Sequence, residues 1–178
     1  MDNLILKKLN ALQELYLSNK DFYAKKYEFF WINHPQNWND KNPSSIRINH
    51  QIPSIINQIK DLNLNPQSSI LDICCGSPNL LFEIKKIFPD YNVYGIDIFT
   101  TEFNDFEKNC SNGVKVFKFP FQMLLEKDYE NHLDFDLVTM FNSYRALNIV
   151  SSLNKNLKQD IKTWAEINSK NNFLNNII

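Results

Sequence analysis

The chain has 178 residues, 43% hydrophobic and 13% aromatic, with a formal net charge of −1 and a pI near 6.3. This length buries one substantial core, so one domain with an appendage is expected. The near-neutral charge argues against an extended phosphate-binding face and favours a small-molecule partner over nucleic acid.

The N-terminal residues MDNLILKKLNALQELYL carry charges throughout. No apolar run there is long enough for a signal peptide or a membrane span, which predicts a cytoplasmic protein. Ile5, Leu9, Leu12 and Tyr16 fall at helical spacing and predict an amphipathic first helix. An aromatic group follows, Phe22, Tyr23, Tyr27, Phe29, Phe30, Trp31 and Trp38, with the two tryptophans on either side of His34 and Pro35. Ile52, Ile55, Ile56 and Ile59 form a second helical stripe, which tolerates Pro53 only in a first turn or at a kink. Residues 1–64 are therefore expected to form a helical N-terminal cap. Its aromatics either wall a pocket and face a cation or form the core that joins the cap to the rest.

A turn-rich join, LNPQSS, precedes a different pattern in 65–178. Strands are predicted at 70–73, 92–97, 114–119 and 135–141, with helices at 79–88, 102–110 and 122–131. Leu153, Leu157, Ile161, Trp164 and Ile167 make one more helical stripe, and 173–178 can supply a short last strand. Alternation of this kind predicts a Rossmann-like, doubly wound α/β domain with a mostly parallel sheet of about five strands.

Residues 70–97 read ILDICCGSPNLLFEIKKIFPDYNVYGID, and two of the chain's three glycines lie in this stretch. Gly76 falls in the turn after the first strand, where a backbone without Cβ lets a ligand approach. Ser77 is a suitable N-cap and Pro78 a suitable first helical residue, so a helix starting there would aim its free N–H groups at the crevice. Asp97 ends the second strand about 20 residues after Gly76, the spacing at which a carboxylate meets a ribose hydroxyl pair. The turn lacks the three glycines of GxGxxG, which disfavours a dinucleotide such as NAD and an oxidoreductase reading.

The run LDICCGSP, followed by a helix, a proline and VYGIDI, resembles the first motif and second strand of class I S-adenosylmethionine-dependent methyltransferases. The resemblance covers about 65–150. It implies a methyltransferase that binds S-adenosylmethionine and acts on a small-molecule acceptor. It places Asp72 on the motif acid near the methionine moiety, Gly76 on the central glycine and Asp97, followed by Ile98, on the ribose-binding acid. Cys74 and Ser77 would line the same turn. Phe135, Asp136, Leu137 and Val138 resemble the opening of the family's fourth strand, after which the segment from Phe141 to Arg145 would face the transferred methyl, with Asn142 among the cofactor-binding candidates.

Cys74 and Pro78 stand where the family usually has glycine. The family's adenine-contacting acid is replaced by Phe119, Pro120, Phe121 and Gln122, of which Gln122 can hydrogen-bond the base and Phe121 can stack on it. Tyr144 and His34 are candidate bases, and Arg47 and Arg145 are candidate partners for a carboxylate. His50 and His132 have no partner at ligand spacing, and the three cysteines lack a CxxC, so no metal site is expected. The family's usual last strands appear truncated, which leaves a sheet edge that a homodimer could cover. The competing reading is a catalytically silent cofactor-binding or interaction domain.

Overall fold

In a computed structural model, the structure describes residues 2–26, 51–75, 78–97, 113–126, 133, 135–140 and 174–175. Helix α1 (Asp2–Ser18) is followed after one residue by α2 (Lys20–Lys26), and α3 (Ile52–Asp61) precedes the sheet. Strand β1 (Ser69–Ile73), helix α4 (Asn79–Ile87), strands β2 (Asn92–Asp97) and β3 (Val114–Lys118), a 3-10 turn (Phe121–Leu125), strand β4 (Leu137–Met140) and the short β5 (Leu174–Asn175) follow.

All strand pairings are parallel, in the order β3-β2-β1-β4-β5. Four strands have four or more residues and the fifth has two. This is the doubly wound α/β arrangement that the strand and helix rhythm predicts. The order reverses between β1 and β4, and such a reversal opens a crevice at the carboxyl ends of the strands.

Both faces of the sheet are covered, and the alternation of side chains along each strand decides what lies on which face. Leu71, Ile73, Tyr94, Ile96, Phe117, Val138 and Met140 point to one side, where they meet Ile5, Leu9 and Leu12 of α1. Ile70, Val93, Val114 and Leu137 point to the other, against Ile52, Ile55, Ile56 and Ile59 of α3 and Leu80, Leu81 and Ile84 of α4. Both stripes predicted for the N-terminal third are thus buried, one on each face. Each such fully buried aliphatic side chain contributes about 1.5–3 kcal/mol of transfer free energy.

Local chemistry sets the helix ends. Pro53 sits in the first turn of α3, where its missing N–H costs nothing. Asn63, with φ 49°, takes the left-handed conformation that ends the same helix, and its N–H donates to the Lys60 carbonyl at 3.0 Å. At the end of α4, Lys85 Nζ donates to the carbonyls of Pro89 (2.7 Å) and Tyr91 (2.6 Å), pinning the turn that leads into β2. The Gln13 side chain on α1 accepts the Lys118 N–H of β3 at 2.6 Å.

Two expectations need correction. Within the helix expected at 122–131, the described residues 122–126 form instead a 3-10 turn that ends at Leu125, with Glu126 extended at φ −71°, ψ 126°, while 127–131 lie outside the described residues. Phe121, Met123 and Leu124 are all buried there. The tighter turn is closed by the Met123 N–H on the Pro120 carbonyl at 3.0 Å, an i→i+3 bond. Helix α4 begins at Asn79, as expected, but Pro78 is not its first helical residue. Pro78 takes the cap position and its carbonyl accepts the Phe82 N–H at 3.0 Å. The expected helices at 102–110 and over the Leu153 stripe, and the aromatics from Tyr27 to Trp38, lie outside the described residues. Among the described residues no helix is long and apolar enough to cross a membrane.

Candidate functional site

The site is built on the face of the sheet that carries α3 and α4, at the carboxyl ends of β1, β2 and β4. Asp72 is the fourth residue of β1, and it pairs in register with Gly95 on one side and Thr139 on the other. The two-residue period that sends Leu71 and Ile73 toward α1 sends Asp72, Gly95, Asp97 and Thr139 the other way. Three polar side chains therefore converge near the β1/β4 reversal. All three are buried: Asp72 is 1% exposed, Thr139 2% and Asp97 8%.

A buried carboxylate needs hydrogen-bond donors, because desolvating its charge without them is costly. Asp72 has one across the seam, the Thr139 hydroxyl, which donates to Asp72 Oδ1 at 2.8 Å. The same hydroxyl lies 3.4 Å from the Leu71 carbonyl, a distance at which little bonding remains. Thr139 was not singled out in the sequence, where it reads as an ordinary β-branched strand residue. Its only signal there is that it is a hydroxyl near the end of an otherwise apolar buried strand.

The turn after β1 starts with Cys74 at φ 55°, in the left-handed region that glycine occupies without strain. The resemblance puts a glycine at this position, and the backbone conformation supplies a physical reason for one. The chain then doubles back: the Cys75 N–H donates to the Ile96 carbonyl of β2 at 3.0 Å.

The Cys75 thiol occupies the space left open by Gly95. A Cβ at Gly95 would stand 2.6 Å from Leu81 Cδ1, 2.8 Å from Cys75 Sγ and 3.2 Å from Val116 Cγ2. Gly95 is thus the position where the turn and α4 descend onto the sheet, a packing role that the sequence alone did not disclose. Burial pushes the Cys75 thiol well above the ordinary value of 9.0, and the Asp97 and Asp72 charges push it further. The thiol is an inert buried group with both carboxylates in its electrostatic neighbourhood.

Past β3, Gln122 sits in the 3-10 turn, and its Oε1 is buried with no hydrogen-bond partner among the described residues. An orphan acceptor of this kind costs about 1–3 kcal/mol unless something donates to it. Phe121 is 4% exposed and belongs to the cluster on the α1 face, so its ring is spent on the core rather than offered to a base. Nearby, Lys26 at the end of α2 pairs with Glu126 at 2.6 Å and lies over the rings of Phe22 and Tyr23 at 5.7 and 5.9 Å. Such a partly exposed pair contributes less than about 1 kcal/mol.

Of the residues proposed from sequence, the structure brings Asp72, Cys74 and Asp97 together around the first turn and places Gln122 at the end of the neighbouring β3. Gly76, Ser77, Ile98, Asn142, Tyr144 and His34 lie outside the described residues, as do Arg47 and Arg145. Asp136 has a structural task at the opposite end of the strand, where its carboxylate accepts the Ser69 N–H at 2.7 Å. Among the described residues no group of three or more His, Cys, Asp or Glu is arranged to hold a metal ion.

No family model and no curated protein sequence matches the chain. Solved structures do. Magnesium protoporphyrin IX methyltransferase from Synechocystis PCC 6803, with bound S-adenosylmethionine, superposes with a TM-score of 0.53 at 15% identity, over 94% of this chain and 74% of that one. The plantazolicin methyltransferase BamL, in complex with a triazolic desmethylPZN analog and S-adenosylhomocysteine, gives a TM-score of 0.51 at 14% identity, over 97% and 57%. The chain spans only 21% of PKMT2 from Rickettsia typhi, which it matches at 21% identity and a TM-score of 0.46, and 56% and 52% of two further methyltransferases. The protein has the Rossmann-like fold of class I methyltransferases.

Proposed function

We propose that the protein binds S-adenosylmethionine and transfers its methyl group to a small-molecule acceptor. The observation that carries this reading is the pair of buried carboxylates, Asp72 and Asp97, at the carboxyl ends of adjacent strands beside a left-handed turn. A ligand lying across those strand ends would meet Asp97 with its ribose hydroxyls, which donate to a carboxylate in strong charge-assisted bonds. Asp72 would face its cationic methionine end. Gln122 fits the third portion, since its orphan Oε1 accepts and an adenine amino group donates. The solved methyltransferases with this fold, crystallised with S-adenosylmethionine or S-adenosylhomocysteine, support the same cofactor.

When bound, the cofactor supplies an electrophilic methyl group on a sulfonium. The protein's contribution is to hold the acceptor's nucleophile in line with that methyl and to exclude water. Asn142, Tyr144 and His34 remain the proposed contributors on the acceptor side, with Gly76, Ser77 and Ile98 around the cofactor. The aromatic N-terminal segment is the proposed wall of the acceptor pocket.

Calorimetric titration tests the reading. S-adenosylmethionine and S-adenosylhomocysteine should bind while NAD does not, and Asp97→Ala should weaken both sulfur ligands about a hundredfold, the loss of two charge-assisted hydrogen bonds. Absence of heat with either sulfur ligand would sink it. One observation favours a second reading, a cofactor-binding domain without turnover. Cys74 holds a strained conformation with a side chain at a position suited to glycine. Binding with no methyl transfer to any acceptor would select that alternative.

A further inference from the structure

We infer that Thr139 is a positioning residue for the ligand, acting through Asp72; the inference rests on the S-adenosylmethionine reading above. Asp72 and Thr139 lie on different strands, 67 residues apart in sequence, and meet at the one seam of the sheet where the strand order reverses. Both are almost completely buried, at 1% and 2% exposure.

The rest of the β4 strand is apolar: Leu137, Val138 and Met140. A valine would serve the core there equally well, and would avoid burying a hydroxyl that needs a partner. What the threonine adds is a single donor aimed at one oxygen of the carboxylate. That bond holds the Asp72 carboxylate in one orientation through Oδ1. A hydrogen bond to an ionised acceptor is stronger than a neutral one, and β-branching restricts the χ1 of the donor itself. A carboxylate held this way meets a ligand's ammonium group without first surrendering side-chain freedom. Groups that orient a ligand-contacting side chain commonly act in this manner.

The test compares S-adenosylhomocysteine with 5′-methylthioadenosine, the fragment that lacks the amino-acid end. Calorimetry is run on the wild type and on Thr139→Val, Thr139→Ala and Thr139→Ser. The valine and alanine variants should bind S-adenosylhomocysteine about tenfold more weakly, and serine should restore affinity to within roughly threefold. Binding of 5′-methylthioadenosine should stay within about twofold throughout, because Asp72 serves the part that this fragment lacks.

If the valine variant does not fold, alanine against serine carries the same comparison, since the two differ by the hydroxyl alone. Equal losses for the two ligands, serine no better than alanine, or valine binding like wild type would overturn the role of Thr139 and leave the cofactor reading standing. Failure of the wild type to bind S-adenosylhomocysteine would remove both.

Discussion

Strands β1 and β4 are joined by a carboxylate at each end of their seam, and the two carboxylates are used differently. At the amino end, Asp136 of the loop before β4 accepts the Ser69 N–H at 2.7 Å while its own N–H donates to the Ser69 carbonyl at 2.9 Å. That is a backbone staple at the start of a parallel ladder. At the carboxyl end, Asp72 takes its cross-strand donor from a side chain, Thr139. A carboxylate given to backbone amides is committed to the fold. One held by a side chain at a strand-order reversal is the one proposed above to meet a ligand.

The crevice end should be the less tolerant of added volume. Gly95→Ala, which drives a methyl against Leu81, Cys75 and Val116, is expected to cost about 2–3 kcal/mol in urea unfolding. An unchanged midpoint would mean that α4 and the turn are free to lift away. Next in size, Asp136→Ala should cost about 1–2 kcal/mol by leaving the Ser69 amide without its acceptor. It should leave S-adenosylhomocysteine affinity unchanged. A loss of affinity in that variant would erase the distinction between the two ends.

A third effect belongs to the crevice end alone and is seen only in alkali. The Cys75 thiol is raised in the folded state by burial first and by Asp97 and Asp72 next, while in the unfolded chain it ionises near 9.0. The unfolded state therefore loses this proton first as pH climbs. Stability that is complete below 9.0 should decline above it, and Cys75→Ala should flatten that decline in pH-dependent urea melts. The raised phenols of Tyr16, Tyr23 and Tyr91, all shifted chiefly by burial, add a component in the same direction at higher pH that survives the substitution. The smallest effect is expected at the turn between the carboxylates. Cys74→Gly relieves a left-handed residue worth about 1–2 kcal/mol, offset by about 0.5–1 kcal/mol of extra unfolded-state entropy. A gain near 0.5 kcal/mol in the urea midpoint is the expected net. A loss would show that the side chain's contacts with the α1-face cluster outweigh the strain.

Much of this architecture is legible in the residues themselves. The apolar spacing of α1 and α3, the buried runs of β1 and β2, and the tolerance of Pro53 in a first turn all appear where local pattern places them. Asp97 ends β2, as the sequence pattern expects, and Asp72 lies one residue before the end of β1, both buried. The helix expected from Gln122 onward rests on the good helix formers of QMLLE, whereas the structure closes a 3-10 turn there that buries Phe121, Met123 and Leu124. Phe121 can stack on a base as far as its sequence goes, because an aromatic ring suits a base and a core equally well. Only its neighbours separate the two.

The sequence by itself determined the strand and helix rhythm, the parallel sheet that follows from it, and the two acids worth testing, because periodicity and turn chemistry act over a few residues. It could not assign the two apolar stripes of the N-terminal third to opposite faces, nor pair Thr139 with Asp72 across 67 residues. It also could not show that Gly95 leaves room for Cys75 or that Asp136 serves the fold rather than the site. Those are contacts between segments far apart along the chain, and they exist only once strand order and register have brought the segments side by side.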